Sequence, residues 1–119
     1  MIKYFSPKEF ICDGTPCMDK MNPELLVMLD TARDLASIPF TITSSWRSEE
    51  KNKAIKGAKN SAHLRGFAVD IACTNSVDRF IMVDALINVG FKRVGIANTF
   101  IHVDNDPSLA EGVIWLYNN

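Results

Sequence analysis

The chain has 119 residues, a formal net charge of −1 and an apolar fraction of 47%. Such a length suits one domain with a modest core, residues 1–119, and such a composition excludes a disordered chain. Acids and bases are interspersed with no basic run, which argues against nucleic-acid binding, and no apolar run is long enough to span a bilayer.

The opening, MIKYFSPKEF, lacks the apolar stretch of a secretory signal. The protein is therefore expected to be made in the cytoplasm and to be a monomer. In SPKEF, Ser6 caps a short helix and Pro7 takes its first position. CDGTPC reads as a loop punctuated by Gly14 and Pro16. The three cysteines, Cys12, Cys17 and Cys73, are an odd number without a signal peptide, which argues against a disulfide framework. Cys12 and Cys17 can pair in an oxidising compartment or help bind a metal, but the expectation is ordinary reduced thiols.

Asn22 and Pro23 open a long helix, with Leu25, Met28, Leu29, Ala32 and Leu35 as its buried stripe. FTITSSW is a β-branched and aromatic strand. Ser48, Glu49 and Glu50 start a short helix running to about Ile55. KGAKNSAHLRG is a loop and GFAVDIA a second strand. Ser76 then caps a helix with Phe80, Val83 and Ile87 on its apolar face and Gly90 as its stop. KRVGIA and TFIHVD are strands joined by a tight turn near Asn98, and GVIWLY is a last strand. The order gives an α+β fold: a small, mostly antiparallel sheet with helices packed on one face.

Alternation sorts each strand into two faces. GFAVDIA puts Phe67, Val69 and Ile71 on one face and Ala68, Asp70 and Ala72 on the other. TFIHVD opposes Ile101 and Val103 to Phe100, His102 and Asp104. FTITSSW opposes Phe40, Ile42 and Trp46 to Thr41, Thr43 and Ser45, with Arg47 following the second parity. Each strand thus has an apolar face for the helices and a polar face for a cleft. Ala68 and Ala72 leave room around Asp70. Trp115 fits either core or cleft.

The chain has only two histidines, His63 and His102. With Asp70 they supply two nitrogens and one oxygen, the donor set that a catalytic zinc takes while keeping one position for water. The ordinary alternative is a pair of structural histidines and a loop-capping aspartate.

SAHLRGFAVDI, Ser61 to Ile71, resembles the S-x-H-x-x-G-x-A-x-D signature of the zinc D-Ala-D-Ala carboxypeptidase family. That family includes vancomycin-resistance dipeptidases and phage L-Ala-D-Glu endolysins, and hedgehog signalling domains share its fold and zinc site. FIHVD resembles the second histidine block, and SSWRSEEKN resembles the S-G-Y-R-S-x-x-x-N block. FSPKEF and the helix after Asn22 resemble the opening of the compact subgroup. The resemblance implies a hedgehog-like fold, zinc on His63, Asp70 and His102, and Arg47 as anchor for a substrate carboxylate, which its planar fork suits. Otherwise Arg47 is a surface arginine in a capping turn. Ser61 either hydrogen-bonds near the site or shapes the loop, Gly66 turns the chain into its strand, and Phe100 offers an apolar wall to an alanine side chain.

One departure from the family stands out. Many members carry Glu or Asp as general base three residues before the second histidine, and here Thr99 stands there. Some relatives in the wider superfamily use a histidine two residues before it, and here Phe100 does. Asp104 is the nearest acid, either as catalytic base or as a group that orients a ligand. The activity implied is hydrolysis of an amide bond in peptidoglycan stem peptides, D-Ala-D-Ala or L-Ala-D-Glu, after release into the cell wall or as a phage lysis or virion component. The alternatives are a non-catalytic zinc-binding module of the same fold and a metal-free structural protein.

Overall fold

The computed structural model describes residues 2–117. Ser6 and Glu9 form a reciprocal capping box around the short 3-10 turn Pro7–Glu9. Two-residue strands β1 (Ile11–Cys12) and β2 (Thr15–Pro16) then pair as a hairpin where a plain loop is expected. Cys12 and Cys17 are disulfide-bonded, with Cα atoms 5.8 Å apart. The expectation of reduced thiols thus holds only for Cys73, which is free and buried. The hairpin brings back within bonding reach two residues that composition alone leaves unpaired.

Helix α1 runs Pro23–Ala36, and the Asn22 side chain accepts the Leu25 N–H at 3.0 Å. It buries Leu25, Leu26, Leu29 and Ala32, while Leu35 is exposed. The buried stripe is therefore turned toward Leu26. Strand β3 (Ile42–Ser44) is shorter than expected and carries a bulge: Ile42 faces Ile71 but Ser44 faces Asp70. The extra residue breaks the simple alternation. Ser44 joins the polar face, Ser45 turns inward and is buried, and Trp46 packs partly against the core.

Helix α2 (Glu49–Ala54) is capped by Ser48, whose hydroxyl accepts the Lys51 N–H. Strand β4 (Ala68–Ala72) follows a 3-10 turn at Ala62–Arg65. Helix α3 (Ser76–Asn88) is capped by Asn75 rather than Ser76. It buries Met82, Ala85 and Leu86, whereas Phe80 and Ile87 are exposed. Both sides of this helix carry apolar residues, so periodicity alone does not select the one that α1 and the sheet cover.

Strands β5 (Arg93–Ile96), β6 (Phe100–Asp104) and β7 (Val113–Leu116) complete a five-stranded sheet ordered β3-β4-β6-β5-β7. All neighbours are antiparallel except β5 and β7, which run parallel. Val69, Ile71, Val94, Ile101 and Val103 meet the buried residues of α1 and α3 in one core. Each fully buried side chain of this kind contributes about 1.5–3 kcal/mol. With the helices on that face, the other face of the sheet is left for a cleft.

Candidate metal centre

The pairing registers join into one transverse row on the open face: Ser44, Asp70, His102, Gly95 and Trp115. Asp70 and His102 are thus direct cross-strand neighbours. His63 arrives from outside the sheet on its 3-10 turn. The Ser61 hydroxyl starts that turn by accepting the His63 N–H at 3.2 Å, and Gly66 ends it at φ 77°. Only glycine fits at 66, because an added Cβ would lie 2.1 Å from the Lys20 carbonyl oxygen. The Asn22 N–H donates to the Gly66 carbonyl, so the turn is also tied to the start of α1.

One ligand atom from each of His63, Asp70 and His102 lies within 4.8 Å of the other two. Asp70 Oδ1 is 3.2 Å from His63 Nε2 and 3.1 Å from His102 Nδ1. Tetrahedral coordination with bonds of about 2 Å puts ligand atoms roughly 3.3 Å apart, so the two Asp70 spacings fit zinc. The remaining ring nitrogens are engaged elsewhere. His63 Nδ1–H donates to the Ser45 carbonyl at 2.8 Å, and His102 Nε2–H donates to Asp104 Oδ2 at 2.7 Å. These bonds leave His63 Nε2 and His102 Nδ1 as the nitrogens that face Asp70: protonated they donate to its carboxylate, and deprotonated their lone pairs are available to a metal. Burial alone would raise the Asp70 pKa, but hydrogen bonds from His102 and His63 outweigh it and hold the carboxyl well below its usual range. Asp70 is therefore a carboxylate at neutral pH.

Asp104 is fully buried. Its Oδ1 accepts from Arg93 Nε at 2.8 Å while Oδ2 holds His102. Arg93, Asp104, His102 and Asp70 thus form one continuous chain of polar contacts. Arg47 stands on the opposite side of Asp70, with Nη2 4.0 Å from Asp70 Oδ2. It donates to Asn52 Oδ1 at 2.9 Å and to the Ser44 hydroxyl at 3.2 Å, and its backbone N–H donates to the His63 carbonyl. Burial lowers its pKa and Asp70 opposes the shift, so the guanidinium stays charged.

These residues line a cleft of about 830 Å³, large enough for a short peptide. Ser61 and Phe100 line it too, Ser61 with its hydroxyl occupied by the His63 backbone and Phe100 edge-on to Tyr117 at 5.1 Å. Among the described residues of this cleft, the carboxylates are those of Asp70 and Asp104. Thr99 supplies no acid. Four contributors escape a reading of the chain alone: Asn52, Arg93, the Ser45 carbonyl and Tyr117; Trp115, open to core or cleft on sequence, lines the cleft. Asn52 ends the SSWRSEEKN block, and Gly95 interrupts a strand, a signal of close approach. Partners separated by many residues leave no local trace.

A family model described as Peptidase M15 matches residues 3–104. No curated protein matches the chain.

Proposed function

The chain belongs to the peptidase M15 family, whose members are zinc peptidases, and from that premise we propose that it hydrolyses an amide bond in peptidoglycan stem peptides. The observation that carries the proposal is the convergence of His63, Asp70 and His102 beside a partly buried, charged Arg47 in an open cleft. Zinc bound there supplies Lewis acidity, polarising a carbonyl and acidifying water.

The remaining work falls to the chain's own side chains. Arg47, already aimed by Asn52 and Ser44, takes the carboxylate of the residue after the scissile bond, so that the bond lies against the ligand cluster. Asp104 acts by holding the His102 ring, with Arg93 neutralising its charge. Both candidate bonds, D-Ala-D-Ala and L-Ala-D-Glu, present such a carboxylate. The Cys12–Cys17 disulfide supports action on the oxidising side of the membrane.

The test is mass spectrometry of purified peptidoglycan after digestion by the zinc-loaded protein. Release of stem-peptide fragments is expected, and their masses assign the bond. Intact peptidoglycan and intact stem peptides would refute the proposal. One observation favours a second reading, a zinc-containing binding module without catalysis: Thr99 replaces an acid, and Asp104 is occupied by Arg93 and His102. Stoichiometric zinc and sedimentation with peptidoglycan, without cutting, would select that reading.

A further inference from the structure

Strand β7 is covered on the wrong side for a strand that serves the core. On the helix-facing parity, Ile114 and Leu116 are 56% and 77% exposed. On the cleft parity, Trp115 and Tyr117 are partly buried. The burial that holds β7 in place is therefore burial against the site, and β7 lies beyond residue 104, where the family match ends.

The two aromatic rings are fixed from below and from the side. They lie over Gly95, where an added Cβ would come within 2.6 Å of ring atoms of both. The rings of Trp115 and Tyr117 are 5.4 and 6.4 Å from the His102 ring, centre to centre, and Tyr117 is 5.1 Å from Phe100. The Arg93 guanidinium sits 4.9 Å over Trp115. Arg47 lines the same cleft, on the other flank of the ligand cluster.

We propose that Trp115 and Tyr117 are specificity-determining residues that confine the substrate side chain just before the scissile bond to a methyl group. The inference rests on the peptidase reading above. With the following residue's carboxylate on Arg47, the preceding residue is directed toward the aromatic wall. That residue is alanine in both candidate bonds, D-Ala-D-Ala and L-Ala-D-Glu. A rigid aromatic wall accepts a methyl group and clashes with a branched side chain.

The test compares paired synthetic stem peptides with alanine or leucine before the scissile bond. Wild type, Trp115→Ala, Tyr117→Ala, Tyr117→Phe and Gly95→Ala are each assayed at matched zinc content. Calorimetric binding of the same peptides to metal-free protein provides a readout without turnover. Wild type is expected to prefer alanine by about tenfold or more in kcat/KM. Trp115→Ala and Tyr117→Ala should lose most of that preference, Gly95→Ala should weaken it by displacing both rings, and Tyr117→Phe should keep it. Should Trp115→Ala fail to fold, Tyr117→Ala and Gly95→Ala decide. A wild type that cuts but prefers neither peptide, or variants that cut with unchanged preference, would overturn the wall and leave the peptidase reading standing. A wild type that cuts neither peptide would overturn both.

Discussion

Asp104 holds one ring of the ligand cluster without belonging to that cluster. Its two oxygens hold Arg93 and His102, and the His102 nitrogen they leave open faces Asp70. Asp104→Asn replaces a charged acceptor with a neutral amide that can present its NH2 to the ring. Zinc affinity is expected to fall by about 10- to 100-fold, measured by competition with a chromogenic chelator. Unchanged affinity with lost hydrolysis would instead make Asp104 the base. Arg47 makes the opposite prediction. It sits 4.0 Å from Asp70 but is not among the ligand cluster, so Arg47→Ala should retain stoichiometric zinc. It should lose about 1.5–3 kcal/mol of charge-assisted substrate binding, a drop of roughly 10- to 100-fold in kcat/KM. Loss of zinc in that variant would contradict the assignment.

At the scale of elements, the site depends on how the His63 turn is fastened to the sheet. Arg65, two residues after His63, donates through Nε to Asp106 at 2.8 Å and pairs with it again through Nη2. Asp106 also accepts from the Ser108 backbone and hydroxyl. Burial alone would raise the Asp106 pKa, but Ser108 and Arg65 outweigh it and hold the group below its ordinary 3.8. A folded-state pKa below the unfolded one means stability that is fully present above 3.8 and is lost as pH falls through the folded value. Because Arg65 is a third exposed, screening keeps the contribution to about 1–2 kcal/mol. Asp106→Asn should therefore lower urea stability at pH 7 by that amount, and its deficit against wild type should shrink as pH falls below 3.8. A deficit that is constant with pH would remove the ion pair from the account.

Element positions were legible in the chain where local chemistry decides them. Asn22 and Ser48 cap their helices as their sequence positions imply, because a cap is a contact of a few residues. The alternation in residues 68–72 and 100–104 places Asp70 and His102 on the open face, and the register then sets them opposite one another. Alternation failed at residues 42–45, where a bulge inserts one residue, and Phe80 proved exposed because α3 offers two apolar sides. The Trp115–Gly95–His102 row was not legible, since it exists only once β7 pairs parallel to β5.

For the whole molecule, the disulfide links the opening hairpin to the site. Cys12 and Cys17 lie against Trp46 and Ser45, and the Ser45 carbonyl in turn holds His63. Closing so short a loop contributes about 2 kcal/mol by restricting the unfolded chain. Dithiothreitol should shift the urea midpoint downward by the corresponding amount, and an unchanged midpoint would show the bridge to be dispensable.

The arrangement of two rings and one carboxylate around a shared point is what the fold builds, and it is tested most directly by titrating zinc into metal-stripped protein in a calorimeter, with His102→Ala alongside. One tight site per chain is predicted for the wild type, with loss of that site in a variant that remains folded by circular dichroism. No heat of binding in the wild type, or equal affinity in His102→Ala, would contradict the assignment of His63, Asp70 and His102 as a metal centre.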